Sequence, residues 1–357
     1  MPERRNLFSN ILGALGLNLL ATASPLSAMQ RASAPAGAGQ SFREPELERL
    51  AMNFPGDGVQ KIAISYNERR GKIKFPNNKK LAVHVYVAIE YAVHKPITMP
   101  GAKFKWDISA LSASSEYNYH IASWRIHDML ERVGIKSTAL VNAWPAENGW
   151  PRERFADIYK EFHRTGHEIM VHNYSEDETQ AQYTPEEEVA IMRRARNLLG
   201  EVTGELPVGY ITQGDTDRTI AAQIDAGYLY TASLRDDDNP WIYKKGDKMI
   251  VEVPHRTPTS GDWSAMGHPN LQMFHQGWIR TAQDSVDYCK KYVDAYLATA
   301  VEQGWPLGLT FGIHPYVGGL PERAKILERM LRHISSLPDV WMCTYRELAT
   351  HWKKSFA

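Results

Sequence analysis

The chain reads as an α/β protein in which about seven parallel strands curl into a (β/α) barrel with helices outside. Three observations point there. Strand-like and helix-like segments alternate from residue 81 to the C-terminus. The run LAVHVYVAI at 81–89 is apolar and β-branched without alternation, the pattern of a strand covered on both faces. Finally, polar residues able to do chemistry follow directly on strand segments, where parallel barrels keep their active sites: Glu90, Asn142, His172, Asp236, Asp237, Asp238, His255 and His314. No internal repeat is visible, and 357 residues suffice for one large domain or two ordinary ones.

The elements follow in order. After the first strand, IASWRIHDMLERVGI (121–135) spaces Ile121, Trp124, Ile126, Met129, Leu130 and Val133 helically, with Gly134 as its stop. KSTALVNAW supplies the second strand, PRERFADIYKEFHRTG a helix and HEIMVH the third strand. TPEEEVAIMRRARNLLG starts a helix with Thr184 as N-cap and Pro185 at the first turn, and Gly200 is its expected end. Strand LPVGYI, helix TIAAQIDAG and strands YLYTAS and KMIVEVP come next. A long helix at DSVDYCKKYVDAYLATAVEQG precedes strand PLGLTFGIH, helix PERAKILERMLRHISS, strand VWMC and helix TYRELATHW.

Composition removes several function classes. Hydrophobic residues at 43% and charged residues at 23% fit a soluble globular domain. Lys+Arg and Asp+Glu both number 41, so no net field draws the chain to nucleic acid. Cys289 and Cys343 are too few for a disulfide framework or a cysteine zinc site, and a bridge between them is neither required nor barred.

Residues 1–28 read as an export signal. Arg4 and Arg5 precede an uncharged apolar run at 7–23, small residues offer cleavage after Ala23 or Ala28, and ERRNLFS is twin-arginine-like. The run is too short and too rich in Gly, Asn and Thr for a comfortable spanning helix, so no stable membrane insertion is expected after cleavage. Residues 29–44 read as a flexible tether and 45–357 as the catalytic domain, periplasmic or extracellular.

The stretch GHEIMVHNYSED (166–177) runs from an apolar strand into His172, with Glu176 four residues on, able to share one ion or one water with it. Taken alone, this spacing is better explained by a strand-end histidine bonded to backbone beside a solvated Glu176. EYNYHIASWRIHDMLERVGIKSTALV (116–141), GYITQGDTDRTIAAQIDAGYLYTASLRDDDNPW (209–241) and TFGIHPYVGGLPERAKILERML (310–331) add Tyr117, Trp124, Arg125, an Asp-Asp loop and a His-Pro-Tyr block.

These four stretches, in this order, resemble the polysaccharide deacetylase (NodB-homology) family, closest to its allantoinase-like and peptidoglycan-deacetylase-like branch. The resemblance runs from Leu81 to Tyr345. It implies a deformed (β/α) barrel that hydrolyses a carbon–nitrogen bond other than a peptide bond. The substrate would be an N-acetylated glycan or a small cyclic amide. On that analogy Glu90, His172 and Glu176 surround a metal ion or the attacking water, and His314 is the acid on the opposite rim. Zinc is the first choice of ion, with a metal-free site equally open. Asn142, Asp237 and Tyr316 are placed as substrate contacts. Trp106, Trp144, Tyr174, Trp241 and Trp263 are weaker candidates for lining a cleft, and the polar run HRTPTSGDWSAMGHPN (255–270) reads as a lid or an ordinary loop.

The chain also departs from the family pattern. Ala88 stands where a metal-binding aspartate is expected, Glu176 replaces a second histidine, and Ile211 lies near the place of a usual arginine. The missing aspartate admits a non-catalytic carbohydrate-binding relative as an alternative. A barrel glycosidase would need two carboxylates facing each other across the site, a part that Glu90 and Glu176 could play.

Overall fold

The computed structural model describes residues 58–62, 64–91, 115–148, 152–176, 178–212, 214–255, 261–262 and 281–356. The export segment, the tether, Trp106, Trp263 and most of the 255–270 loop lie outside them.

Strand β1 is Gln60–Ile62, and β2 is Leu81–Ile89 with all nine residues buried. The unbroken apolar run therefore has the cause the sequence implied, since both faces of β2 are covered. Further on come β3 (Thr138–Val141), β4 (Glu168–His172), β5 (Gly209–Ile211), β6 (Tyr230–Thr231), β7 (Trp241–Lys245), β8 (Lys248–Glu252), β9 (Leu307–Ile313) and β10 (Val340–Cys343). The sheet runs β1-β7-β8-β6-β5-β4-β3-β2-β10, and β9 also pairs with β2. The pairs among β2 to β6, β8, β9 and β10 are parallel. This is the curled α/β sheet expected. Strand β7 runs antiparallel between β1 and β8, so a β7–β8 hairpin follows β6 in the chain and continues the sheet toward β1.

Register builds the site. Ile89 lies opposite Val141, Val87 opposite Ile313, and Val141 opposite Val171. The residues just past these pairs (Glu90, Asn142, His172 and His314) therefore leave the sheet at the same carboxyl mouth.

Helices fill the crossovers. Helix α1 (Ser123–Val133) is entered through a π-helix at Asn118–Ala122 and stops on Gly134 at φ 78°. Then follow α2 (Trp144–Asn148), α3 (Arg152–Arg164) and α4 (Pro185–Thr203). Thr184 caps α4 by accepting from the Glu187 amide, as its position foretold. The helix does not end at Gly200 but runs on to Thr203, with Gly204 as the left-handed cap. A side chain at Gly200 would meet Leu206 Cδ2 at 2.7 Å, so that glycine makes room rather than a turn. Helices α5 (Thr219–Ala226), α6 (Ala282–Gln303), α7 (Pro315–Gly318), α8 (Pro321–Ser336) and α9 (Tyr345–Phe356) complete the set.

Among the described residues, β8 and β9 are not joined as paired strands, and a single parallel bridge, Gly261 to Gly312, ties the chain beyond β8 to β9. The two glycines explain the closeness: a Cβ on Gly261 would stand 2.0 Å from the Gly312 carbonyl oxygen. Cys289 and Cys343 are buried free thiols.

Candidate active site

Glu90 follows β2 directly, its side chain 15% exposed. His172 ends β4 and is buried. Its Nδ1 faces the Ile211 carbonyl at 3.4 Å, which turns Nε2 toward Glu176 at 3.2 Å and Glu90 at 3.7 Å. The chain can fold back so soon because Asn173 takes φ 54°, a left-handed conformation that asparagine tolerates. The turn brings the Glu176 amide to the Tyr91 carbonyl, so Glu176 reaches across to the end of β2. Burial opposes a charge on His172, but the Glu176 and Glu90 carboxylates outweigh it and push the imidazole up to about 10. Burial and the neighbouring Glu90 carboxylate raise Glu176 above the usual range.

On the other side of Glu90 stands His314, which follows β9 and is also buried. Its Nε2 lies 3.9 Å from Glu90 Oε1, and its Nδ1 lies 3.2 Å from Asp262 Oδ1. Asp262 Oδ2 accepts the His314 backbone amide at 2.5 Å, so one carboxylate fixes both the ring and the backbone. Against the cost of burial, Asp262 and then Glu90 raise the His314 pKa above its ordinary value. Glu90 thus stands between two imidazoles held in fixed orientations. Asp262 was not among the candidates read from the sequence. Its only advance sign was a carboxylate inside the polar 255–270 run, and the Gly261–Gly312 contact that delivers it has no local signature.

The three expected substrate contacts fare differently. Tyr316 is half-buried, with its ring 6.1 Å from that of His314, and burial first, then the carboxylates of Glu90, Asp262 and Glu176, raise its hydroxyl pKa. Asn142 is at the site but fully buried. Its Oδ1 accepts the Tyr91 amide at 2.6 Å, its Nδ2 donates to the His172 carbonyl, and the same side chain bonds Glu176, so it holds the strand ends of the site together. Asp237 is elsewhere. It is clamped by both terminal nitrogens of Arg69, at 2.8 and 2.5 Å, and it accepts the Asn239 amide. The adjoining Asp238 carbonyl bonds to Gly308, near the start of β9, while His314 follows that strand's far end. The acidic loop is therefore an anchor for the β7 hairpin, and the substrate-binding reading of Asp237 is corrected. Trp144 stacks on Tyr91 at 5.6 Å beside the cluster, whereas Trp241 lies beneath Lys61 on β7.

One imidazole and two carboxylates, with ligand atoms within 4.8 Å of one another, suit a divalent cation. The Nδ1 bond to a backbone carbonyl leaves Nε2 as the ligand atom, the outer-shell arrangement that metal-binding histidines use. The residues fit. A second cluster, His127, Glu131 and His167, has similar spacing and does not fit. His167 Nδ1 accepts the Ser137 amide at 3.0 Å, so the neutral ring carries its proton on Nε2, facing Glu131 at 3.1 Å. Lys136 also bonds Glu131 at 2.6 Å, making this a closed hydrogen-bond network.

No family model matches the chain. A peptidoglycan deacetylase of Helicobacter pylori is 21% identical over 234 residues, which are 57% of this chain and 75% of that protein. Among solved structures, a polysaccharide deacetylase of Pseudomonas aeruginosa PAO1 superposes with a TM-score of 0.67 at 22% identity, covering 79% of this chain and 94% of that one. One from Mycobacterium smegmatis gives 0.64 at 23%, covering 79% and 93%. The allantoinase PuuE gives 0.65 at 23% over the same shares. The deformed barrel expected from the resemblance is thus the fold these proteins share.

Proposed function

We propose that this chain, similar in fold to polysaccharide deacetylases and to an allantoinase, hydrolyses a non-peptide carbon–nitrogen bond in an amide. The observation that carries the reading is the placement of Glu90, 3.7 Å from His172 and 3.9 Å from His314. Such an arrangement supplies a base for water and an acid for the leaving nitrogen within one substrate's width. Glu90 takes a proton from the attacking water as its oxygen bonds to the amide carbon. His314, oriented by Asp262, gives its Nε2 proton to the nitrogen as the C–N bond breaks. The proton on Glu90 then returns the pair to its starting state across the 3.9 Å between them.

Glu90, His172 and Glu176 would hold a divalent ion, zinc in our reading. Such an ion supplies Lewis acidity to water and carbonyl. We take the substrate to be an N-acetylated glycan or a small cyclic amide, reached after export by the twin-arginine-like leader. No helix among the described residues is long and apolar enough to cross a membrane.

A screen of acetylated glycans against cyclic ureides and imides, read as acetate or ammonia release with and without chelator, tests the proposal. Turnover by the wild type, abolished in Glu90→Gln with little change in melting temperature, is the expected result. Polymer binding without any release would favour a carbohydrate-binding role. Reducing-sugar release would favour a glycosidase.

A further inference from the structure

We propose that His255 is a further catalytic residue, an uncharged imidazole whose Nε2–H donates a hydrogen bond to the carbonyl oxygen of the scissile amide. The inference rests on the hydrolase reading and adds a side-chain donor for the carbonyl oxygen, a role that reading gives to no residue. When water attacks, the C=O π pair moves onto oxygen, and that growing charge needs a fixed donor. Neither Glu90 nor Asp262 can provide one while ionised.

The position of His255 is fixed from several sides. It lies just beyond β8, its backbone amide bonded to the Leu234 carbonyl at 2.9 Å. Its ring packs on Tyr86 with centroids 4.5 Å apart, and the same Tyr86 ring meets His314 edge-on at 5.7 Å. His255 and His314 thus flank one aromatic ring at the mouth of the barrel. The Tyr86 ring is buried, and its hydroxyl end lies in the space that Gly312 leaves open, where a Cβ would approach it to 2.3 Å.

The tautomer follows from the partners. His255 Nδ1 is 2.9 Å from the Tyr345 hydroxyl. Burial holds that phenol protonated, and it donates to Nδ1, leaving the ring proton on Nε2. Thr310 gives its own hydroxyl proton to the Pro254 carbonyl at 3.1 Å, and its oxygen, which the Tyr345 hydroxyl also approaches, already receives the His84 Nε2 proton at 2.9 Å, so the Tyr345 proton is assigned to Nδ1. Among the described residues Nε2 has no hydrogen-bond partner, and it is not one of the enclosed unpaired atoms. Burial keeps the imidazole uncharged, and the nearby charges of His172 and His314 act in the same direction. An uncharged donor suits this task because it does not pair permanently with the Glu90 and Glu176 carboxylates.

The experiment compares His255→Gln, His255→Asn and His255→Ala on whichever amide the wild type turns over. Wild-type turnover is scored first, so a failed hydrolase reading is told apart from a failed role for His255. Glutamine can place a donor near Nε2, asparagine only near Nδ1. We expect Ala and Asn to lose about 10²–10³-fold in kcat with KM little changed, and Gln to recover at least tenfold of that loss. All three variants should keep both limbs of the wild-type pH–rate profile, because a neutral donor does not titrate in that range. Wild-type kcat in His255→Ala would overturn the proposal. So would rescue by Asn in place of Gln, which would make the Tyr345 bond the relevant contact, or loss of one limb, which would make His255 an acid or base.

Discussion

At the scale of single residues, His314 carries the sharpest test of the chemistry. An amide nitrogen leaves poorly unless protonated, and general acid catalysis is typically worth about 10²–10⁴-fold. His314→Ala should lower kcat by about that factor with little effect on KM, and the loss should shrink for an electron-poor anilide that needs no proton. Equal losses for good and poor leaving groups would make His314 a positioning group. The candidate metal triad of Glu90, His172 and Glu176 makes a second prediction. His172 is pushed up to about 10, so at neutral pH its imidazole is protonated and must give up that proton before Nε2 can bind an ion. Zinc uptake should therefore release about one proton and tighten about tenfold per pH unit between pH 6 and 8. Calorimetry in buffers of different ionisation enthalpy reads both, and pH-independent affinity without proton release would remove His172 from the ligand set. These residues were legible because parallel strands deliver their chemistry at carboxyl ends, so Glu90, His172 and His314 could be read from where each strand stops. Asp237 satisfied the same rule in sequence but feeds a hairpin, and pairing with Arg69 takes it out of the site.

At the scale of elements, the geometry of the proposed active site depends on how closely Gly261, beyond β8, approaches Gly312 in β9. Asp262 reaches His314 only because Gly261, at φ 94°, lies directly against Gly312. A methyl at 261 would sit 2.0 Å from a carbonyl oxygen and 2.6 Å from an amide nitrogen, so the backbone must retreat and carry Asp262 with it. Gly261→Ala should therefore lower kcat as much as Asp262→Asn does. Gly204, equally left-handed at φ 81° but with open space around it, is the control. Gly204→Ala should cost about 1 kcal/mol of stability and leave kcat unchanged. If the two variants lose activity alike, general destabilisation is the cause. Contacts of this kind explain what sequence reading could not reach. The period of α4 and its Thr184 cap were visible locally. The role of Gly200 as a seat for Leu206, and of Gly261 as a bridge, depends on segments that only the folded chain brings together. Strand β7 was missed because WIYKK carries two lysines and only two buried residues.

At the scale of the whole molecule, the order of alternating strands and helices was readable because each β-then-α unit must place its next strand parallel and adjacent. The polar interior of the barrel was not readable, since LAVHVYVAI shows His84 only as a strand residue. The fold encloses it completely, with Nε2 bonded to Thr310 Oγ1 at 2.9 Å, and burial lowers its pKa to about 3. This has a consequence for acid stability whose sign is fixed. In the unfolded chain His84 titrates near the ordinary ~6.5, whereas in the folded chain it stays neutral until about pH 3. Between those values the unfolded state binds the extra proton, so stability falls as pH is lowered from 6.5 toward 3. One proton corresponds to about 1.4 kcal/mol per pH unit. His84→Gln keeps a donor near Thr310 but cannot titrate. Carboxylates also titrate in this range, but they do so in both proteins, so the difference between the two isolates His84. Urea unfolding from pH 6 to pH 4 should give a dependence on pH shallower in His84→Gln than in the wild type by about that amount. Parallel curves would show that the buried imidazole takes up its proton in the folded state as readily as in the unfolded one.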